Sequence, residues 1–150
     1  MTHPTVQRLE GLVGELLGHS AWRPVAQADI DRFAELTDDA QYIHVDPARA
    51  ALTPFGTTIA HGFLTLGLLS ALAREAVPLD GRRMGVNYGF DKIRFVAPVR
   101  SGAKVRGRFV LDAIERRPDG GYLLRYGTTV EIEGEPKPAL VAEWLSLAYF

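Results

Sequence analysis

The apolar positions of this chain change period near its midpoint, which divides it into a helical half and a sheet half. In Ile59 to Val77, IAHGFLTLGLLSALAREAV, Phe63, Leu64, Leu66, Leu68, Leu69, Leu72 and Ala73 occupy every side of a helical wheel, the pattern of a helix covered by other elements. Upstream, Val6 to Leu17 repeats apolar residues at helical spacing behind Thr5 as N-cap, interrupted by Gly11 and Gly14. Ala21 to Val25 reads as a short strand that Pro24 confines to an edge. Ile30, Phe33, Ala34 and Leu36 predict a surface helix ending near Thr37, with Asp29 and Asp31 in the first turn, where the helix dipole favours anions. Asp46-Pro47 is an N-cap followed by proline at the first helical position, opening a short helix through Ala50. The breakers Pro54 and Gly56 make Leu52 to Thr58 a loop that feeds the apolar helix.

Beyond Gly81 the period is two. Gly85 to Val96, Lys104 to Leu111, Tyr122 to Ile132 and Leu140 to Phe150 read as four long strands. The last has only Glu143 and Ser146 as polar residues, so it is expected to be covered on both sides. Short breaks at Pro98 to Gly102, Pro118 to Gly121 and Gly134 to Pro138 make an antiparallel meander the economical topology. A twisted sheet with one apolar face needs a cover, and the helix that begins near His61 provides it. The expected fold class is therefore α+β, an antiparallel sheet wrapped around one long central helix.

A chain of 150 residues, nearly half of them apolar, can bury a core without a disulfide or metal staple, so residues 1–150 are expected to form a single domain. A net charge of −1 creates no field favouring nucleic acid or an anionic membrane, and neither is an expected partner. The apolar helix also falls short of the roughly twenty apolar residues that cross a bilayer. Absence of cysteine excludes disulfides, thiolate catalysis and Cys-ligated zinc. With an N-terminus unlike a secretory leader, the expected location is cytoplasmic.

Candidate chemistry gathers in two places. Asp39 and His44 lie five residues apart in the irregular stretch DDAQYIHVDPARA, and a carboxylate and an imidazole within reach of one water can share its deprotonation. The alternative is a loop hydrogen bond. Gly62, in the first turn of the apolar helix, has an N–H that can polarise a carbonyl and stabilise an enolate; alternatively it permits close packing, and His61 is a core histidine satisfied by a backbone carbonyl. Ser70 is a lone hydroxyl on that helix, bonded back to its own turn or aimed at the Asp39/His44 segment. No G-x-S-x-G, P-loop or HExxH is present. A metal site from His44, Asp46 and His61 is conceivable, although none is expected. The basic residues Arg82, Arg83, Lys92, Arg94, Arg100, Lys104, Arg106 and Arg108 form a solvated strand face or meet the phosphates of a nucleotide-bearing substrate.

TDDAQYIHVDPARA followed by TPFGTTIAHGFLTLGLLS resembles the MaoC-like dehydratases, the (R)-specific enoyl-CoA hydratases, and among them the nodulation protein N-like branch. The family motif is approximately G-D-x-N-P-I-H-x-D-P, then a spacer, then a [V/A]-H-G that opens the central helix. The match is strong from Thr37 to Ser70 and one of pattern in the strand half. The resemblance implies a hot-dog fold, a homodimer, and hydration of trans-2-enoyl-CoA to (3R)-hydroxyacyl-CoA with no cofactor beyond the CoA of the substrate. It places the catalytic aspartate at Asp39, the catalytic histidine at His44, the oxyanion glycine at Gly62 and a supporting serine at Ser70. Tyr42, Phe55, His61 and Phe63 flank these and are expected to line the acyl-CoA substrate. Asp38 replaces the motif's glycine, Gln41 its asparagine and Tyr42 its proline, Asp38 being the least expected change. Two further readings are a hot-dog thioesterase and a non-catalytic acyl-binding or partner-binding hot-dog subunit.

Overall fold

In chain order, the computed structural model, which describes residues 2–150, runs through helix α1 (Pro4–Glu10), strands β1 (Leu16–His19) and β2 (Arg23–Pro24), and helix α2 (Gln27–Thr37). The one-turn helices α3 (Tyr42–Val45) and α4 (Pro47–Ala50) follow, then α5 (Gly62–Gly67) and α6 (Leu69–Ala76). Strands β3 (Met84–Phe95), β4 (Lys104–Arg116), β5 (Tyr122–Ile132) and β6 (Leu140–Tyr149) complete the chain. All six strands join one antiparallel sheet of order β1-β4-β5-β6-β3, with β2 also paired to β4.

The meander holds for β4, β5 and β6 but not for β3, which pairs with β6 from Met84↔Tyr149 to Phe95↔Leu140. The other edge of β4 is taken by β1 and β2, through Leu16↔Val110 and Arg23↔Val105, so β3 closes the far side of the sheet. Residues 96–103 therefore form a crossing strap instead of a hairpin turn. Its backbone groups are satisfied from two sides: Val96 N–H donates to the Ala139 carbonyl (2.9 Å), while the Val99 carbonyl accepts from Ala60 N–H (2.8 Å) and Ser101 N–H donates to the Thr58 carbonyl (2.9 Å).

The first helix is shorter than its periodicity suggests. His3 caps it, Nδ1 accepting from Thr5 N–H at 3.3 Å, and it stops at Glu10. Gly14, at φ +88°, turns the chain back so that Leu16 to His19, expected to end or follow this helix, join the sheet. The single central helix is likewise two helices, α5 and α6, separated at Leu68 (φ −65°, ψ −18°). Hydrogen bonds from Leu68 N–H to Leu64 and from Leu72 N–H to Leu68, both 3.0 Å, carry the rod across the break. Gly67, a poor helix former, sits at that point.

Leu69, Leu72 and Ala76 bury one face of the rod against Val105, Phe109, Leu111, Leu124 and Tyr126 of the sheet. Each fully buried leucine contributes about 1.5–3 kcal/mol relative to exposure. The rod is not covered all round, however: Phe63 is 69% exposed, and Gly67 and Ser70 also face outward. Nor is β6 covered on both sides, because Val141 is exposed although Leu145 is buried. On the adjacent edge strand β3, Met84, Val86, Tyr88, Ile93 and Phe95 are exposed as well.

β1 passes so close to the end of α6 that a Cβ on Gly18 would stand 2.7 Å from the Ala76 carbonyl oxygen. Backbone on both sides leaves little room to yield. Gly18→Ala is expected to lower stability by about 1–3 kcal/mol in urea denaturation, with the slope of the transition unchanged.

Candidate active site

The site begins where α2 ends. Asp38 takes the left-handed conformation (φ 56°, ψ 29°), the geometry that favours glycine at a helix C-terminus, and it turns Asp39 away from the helix axis. Asp39 N–H still donates to the Ala34 carbonyl at 3.0 Å, which anchors the turned segment. The following turn, α3, was not legible as a helix; it carries His44 inward, where the ring is buried. Behind it Asp46 caps α4, Oδ1 accepting from Arg49 N–H at 3.0 Å, as Asp46-Pro47 predicts.

The two histidine rings are fixed by carbonyls. His44 Nδ1 lies 2.7 Å from the Ile59 carbonyl oxygen. A carbonyl only accepts, so Nδ1 holds the proton and Nε2 of the neutral ring is left with a free lone pair. His61 Nε2 similarly donates to the backbone carbonyl of Asp39 at 2.9 Å, and its Nδ1 is buried without a partner among the described residues. The rings stack with centroids 3.8 Å apart and planes at 25°, and Phe33 packs against His61 at 4.9 Å. One side-chain ligand atom each from Asp39, His44 and His61 lies within 4.8 Å of the others, with Asp39 exposed at the mouth and both imidazoles buried behind it.

This cluster replaces the conceivable metal set: Asp39 joins the two histidines, whereas Asp46 is engaged as a cap. Its geometry suits water better than an ion. The free lone pairs lie in ring planes only 25° apart, whereas a tetrahedral zinc needs both nitrogens to point at one position about 2.0–2.1 Å away.

Gly62 N–H, in the first turn of α5, has no acceptor among the described residues, and a Cβ there would stand 3.1 Å from the Phe95 ring. Both the free donor and the close packing therefore hold at this residue. Ser70 is placed elsewhere: its Oγ accepts from Asn87 Nδ2 at 3.5 Å, and no hydrogen bond joins it to Asp39 or His44 among the described residues. Tyr42 lies beneath the Arg49 guanidinium at 4.2 Å, the Phe55 carbonyl accepts from Arg100 Nε at 3.0 Å, and the Phe63 ring stands 6.0 Å from that of Phe95.

Sequence reasoning missed Gln27 and Thr58. Gln27 Nε2 donates to the His44 carbonyl at 2.7 Å and to Asp31 Oδ1 at 2.8 Å, while Thr58 Oγ1 donates to Gln27 Oε1 at 2.5 Å. Together they tie α2, α3 and the approach to α5. Neither belongs to a motif, and the available signal was only a polar residue just before or at the start of an element. The basic stripe is half neutralised: Lys92, Arg100, Lys104 and Arg106 pair with Glu143, Glu135, Glu133 and Glu131.

A carboxylate beside an imidazole of fixed tautomer, next to the first turn of a helix packed on an antiparallel sheet, is the arrangement of a candidate acid–base site on a hot-dog fold. The chain belongs to the family described as MaoC like domain, whose profile matches residues 8–129. It is 51% identical to nodulation protein N of Rhizobium meliloti over 95% of this chain and 89% of that protein. It is 46% identical to 3-hydroxyacyl-thioester dehydratase Z of Mycobacterium tuberculosis over 95% of this chain and 94% of that protein. Among solved structures, the (R)-hydratase PhaJ1 of Pseudomonas aeruginosa superposes with a TM-score of 0.73 at 28% identity, covering 91% of this chain and 81% of its own. These neighbours share the hot-dog fold, as the sequence motif implied.

The left-handed backbone at Asp38 explains the glycine of the family motif. Asp38→Gly is expected to raise stability by up to about 1 kcal/mol in chemical denaturation. Unchanged or lower stability would show that the aspartate side chain offsets the strain.

Proposed function

We propose that the protein catalyses the reversible hydration of a trans-2-enoyl-CoA to a (3R)-hydroxyacyl-CoA. The observation that carries this reading is the His44 to Ile59 hydrogen bond, which leaves Nε2 as the free nitrogen of a ring clustered with the Asp39 carboxylate. Gly62 N–H would donate to the thioester carbonyl oxygen, drawing electron density from C3. A water held between Asp39 and His44 adds its oxygen to C3 and gives a proton to this pair; the enolate on Gly62 collapses as C2 takes a proton back, so the water is consumed whole. Run in reverse, the same groups remove water. The (R) configuration and the CoA carrier rest on similarity to the (R)-specific enoyl-CoA hydratase of Rhodospirillum rubrum, 36% identical over 55% of this chain, and to the (R)-hydratase structures.

Similar groups could instead direct water at the thioester carbon, or bind an acyl thioester without turnover. Loss of the enoyl absorbance of crotonyl-CoA without release of free thiol is the expected result. Thiol release with the enoyl group intact would point to a thioesterase, and silence in both assays with tight acyl-CoA binding to a binding subunit. Asp39→Asn and His44→Gln are each expected to lower kcat about a hundredfold or more, with an unchanged circular dichroism spectrum. Unchanged turnover in either variant would remove this mechanism.

The reading also includes a homodimer. β3 is an edge strand with open backbone groups, and Met84 and Tyr88, 51% and 52% exposed, stand on it. Such an edge is normally covered, and a second copy of the same strand is a self-complementary cover. Size-exclusion chromatography with light scattering should give twice the chain mass; a clean monomer is the contrary result.

A further inference from the structure

Beside α6, between the helix and the inner face of the sheet, lies a cavity of about 740 Å³ that the catalytic cluster does not touch. Its wall is polar where a slot for an alkyl chain would be apolar. Ser70 comes from α6, Asn87 from β3, Tyr126 from β5, and Trp144 and Ser146 from β6. These groups are poorly satisfied within the protein. The Trp144 indole N–H is buried with no acceptor among the described residues. Asn87 reaches Ser70 only at 3.5 Å, and Ser146 Oγ reaches the Val86 carbonyl only at 3.4 Å. The Tyr126 hydroxyl makes no hydrogen bond among the described residues; burial pushes its pKa up, opposed by the charge of Arg82, so it remains a protonated donor within reach of the guanidinium's field.

The charges lean positive once Asp80 is paired with Arg8. Arg74 and Arg82 line the cavity, and neither has a carboxylate within ion-pair distance among the described residues. The two carboxylates at the cavity are engaged: Glu75 accepts from Ala21 N–H at 3.0 Å, and Asp80 pairs with Arg8 at 3.0 Å. Donors and positive charge are in surplus. What Trp144, Tyr126 and Arg82 lack is an acceptor, and a guanidinium with a fan of neutral donors is the arrangement that binds a carboxylate.

We propose that this cavity receives the far end of the acyl group, and that the preferred substrate is an acyl thioester whose chain ends in a carboxylate. The proposal rests on the hydro-lyase reading for the position of the thioester. Ser70 lies eight residues beyond Gly62, roughly 12 Å along the helical rod, so a chain of medium length held at Gly62 and running along α5 delivers its end to the cavity. A terminal carboxylate there meets Arg82 and the unsatisfied donors. A terminal methyl would strip water from them and offer nothing in return.

Two measurements test this, one of which needs no turnover. The chain has two tryptophans, so Trp22→Phe leaves Trp144 as its sole indole, reporting on the cavity by fluorescence. Suberate is expected to bind about tenfold or more tighter than the uncharged octanamide, and in the Arg74→Met/Arg82→Met variant, both exposed side chains, the two should come within about twofold. In parallel, kcat/KM for a 2-octenoyl-CoA bearing a terminal carboxylate should exceed that for 2-octenoyl-CoA by about tenfold or more, and the double variant should remove the difference. Equal or tighter octanamide binding, or a preference that survives the double variant, overturns the proposal. The two readings fail separately: crotonyl-CoA hydrated without carboxylate preference removes only the cavity assignment, whereas suberate discrimination without hydration of any enoyl-CoA removes only the hydro-lyase.

Discussion

The peptide unit of Ile59 is the joint on which the site depends. Its N–H donates to the Ile43 carbonyl at 3.0 Å and its carbonyl accepts from His44 Nδ1 at 2.7 Å, so both polar groups of one buried residue grip the irregular segment that holds the candidate base. Leaving such a carbonyl unpaired costs about 1–3 kcal/mol, and that penalty keeps the His44 proton on Nδ1. Ile59 is itself held by a bridge to Arg100 in the crossing strap, and Ala60 by the Val99 carbonyl. The protonation pattern of an imidazole thus follows from the path of the backbone between β3 and β4.

Much of this arrangement can be read from side-chain pattern. β5 has the bounds its alternation indicates, from Tyr122 to Ile132, because a buried residue stands at every second position throughout. α2 and α4 likewise follow from apolar spacing and from the Asp46 cap. β4 runs on to Arg116, beyond Leu111, because a register shift between Leu111 and Ala113 breaks the alternation and brings Ile114 back to the core side. The position of β3 was hidden for a different reason. A strap's partners are remote backbone atoms, which leave no trace in residue type, so Pro98 to Gly102 looks like a turn.

The motif shows which residues come together better than it shows why. Asp39, His44 and His61 come together just before Gly62, but the cause lies in unremarked groups: the left-handed Asp38, the Gln27 amide and the Ile59 peptide. Ser70 shares their helical rod yet faces a different cavity, since eight residues carry a side chain two turns along the rod. Surface charge tells the opposite story. The pair Arg106 with Glu131 sits across β4 and β5 and is partly buried, while Lys104 with Glu133, just past β5, is a surface pair of the kind that contributes about 0–1 kcal/mol. They neutralise a face that composition alone marks as basic.

The strap has a consequence for the order in which the molecule assembles. β4, β5 and β6 can zip together as local hairpins, whereas β3 must wait for a partner more than forty residues further along the chain. Because the backbone that secures Ile59 crosses the sheet immediately after β3, the candidate site is tied to a pairing that is far from local. Chains that have formed only the β4 to β6 hairpins should therefore hold half of a sheet while the candidate site is still unassembled.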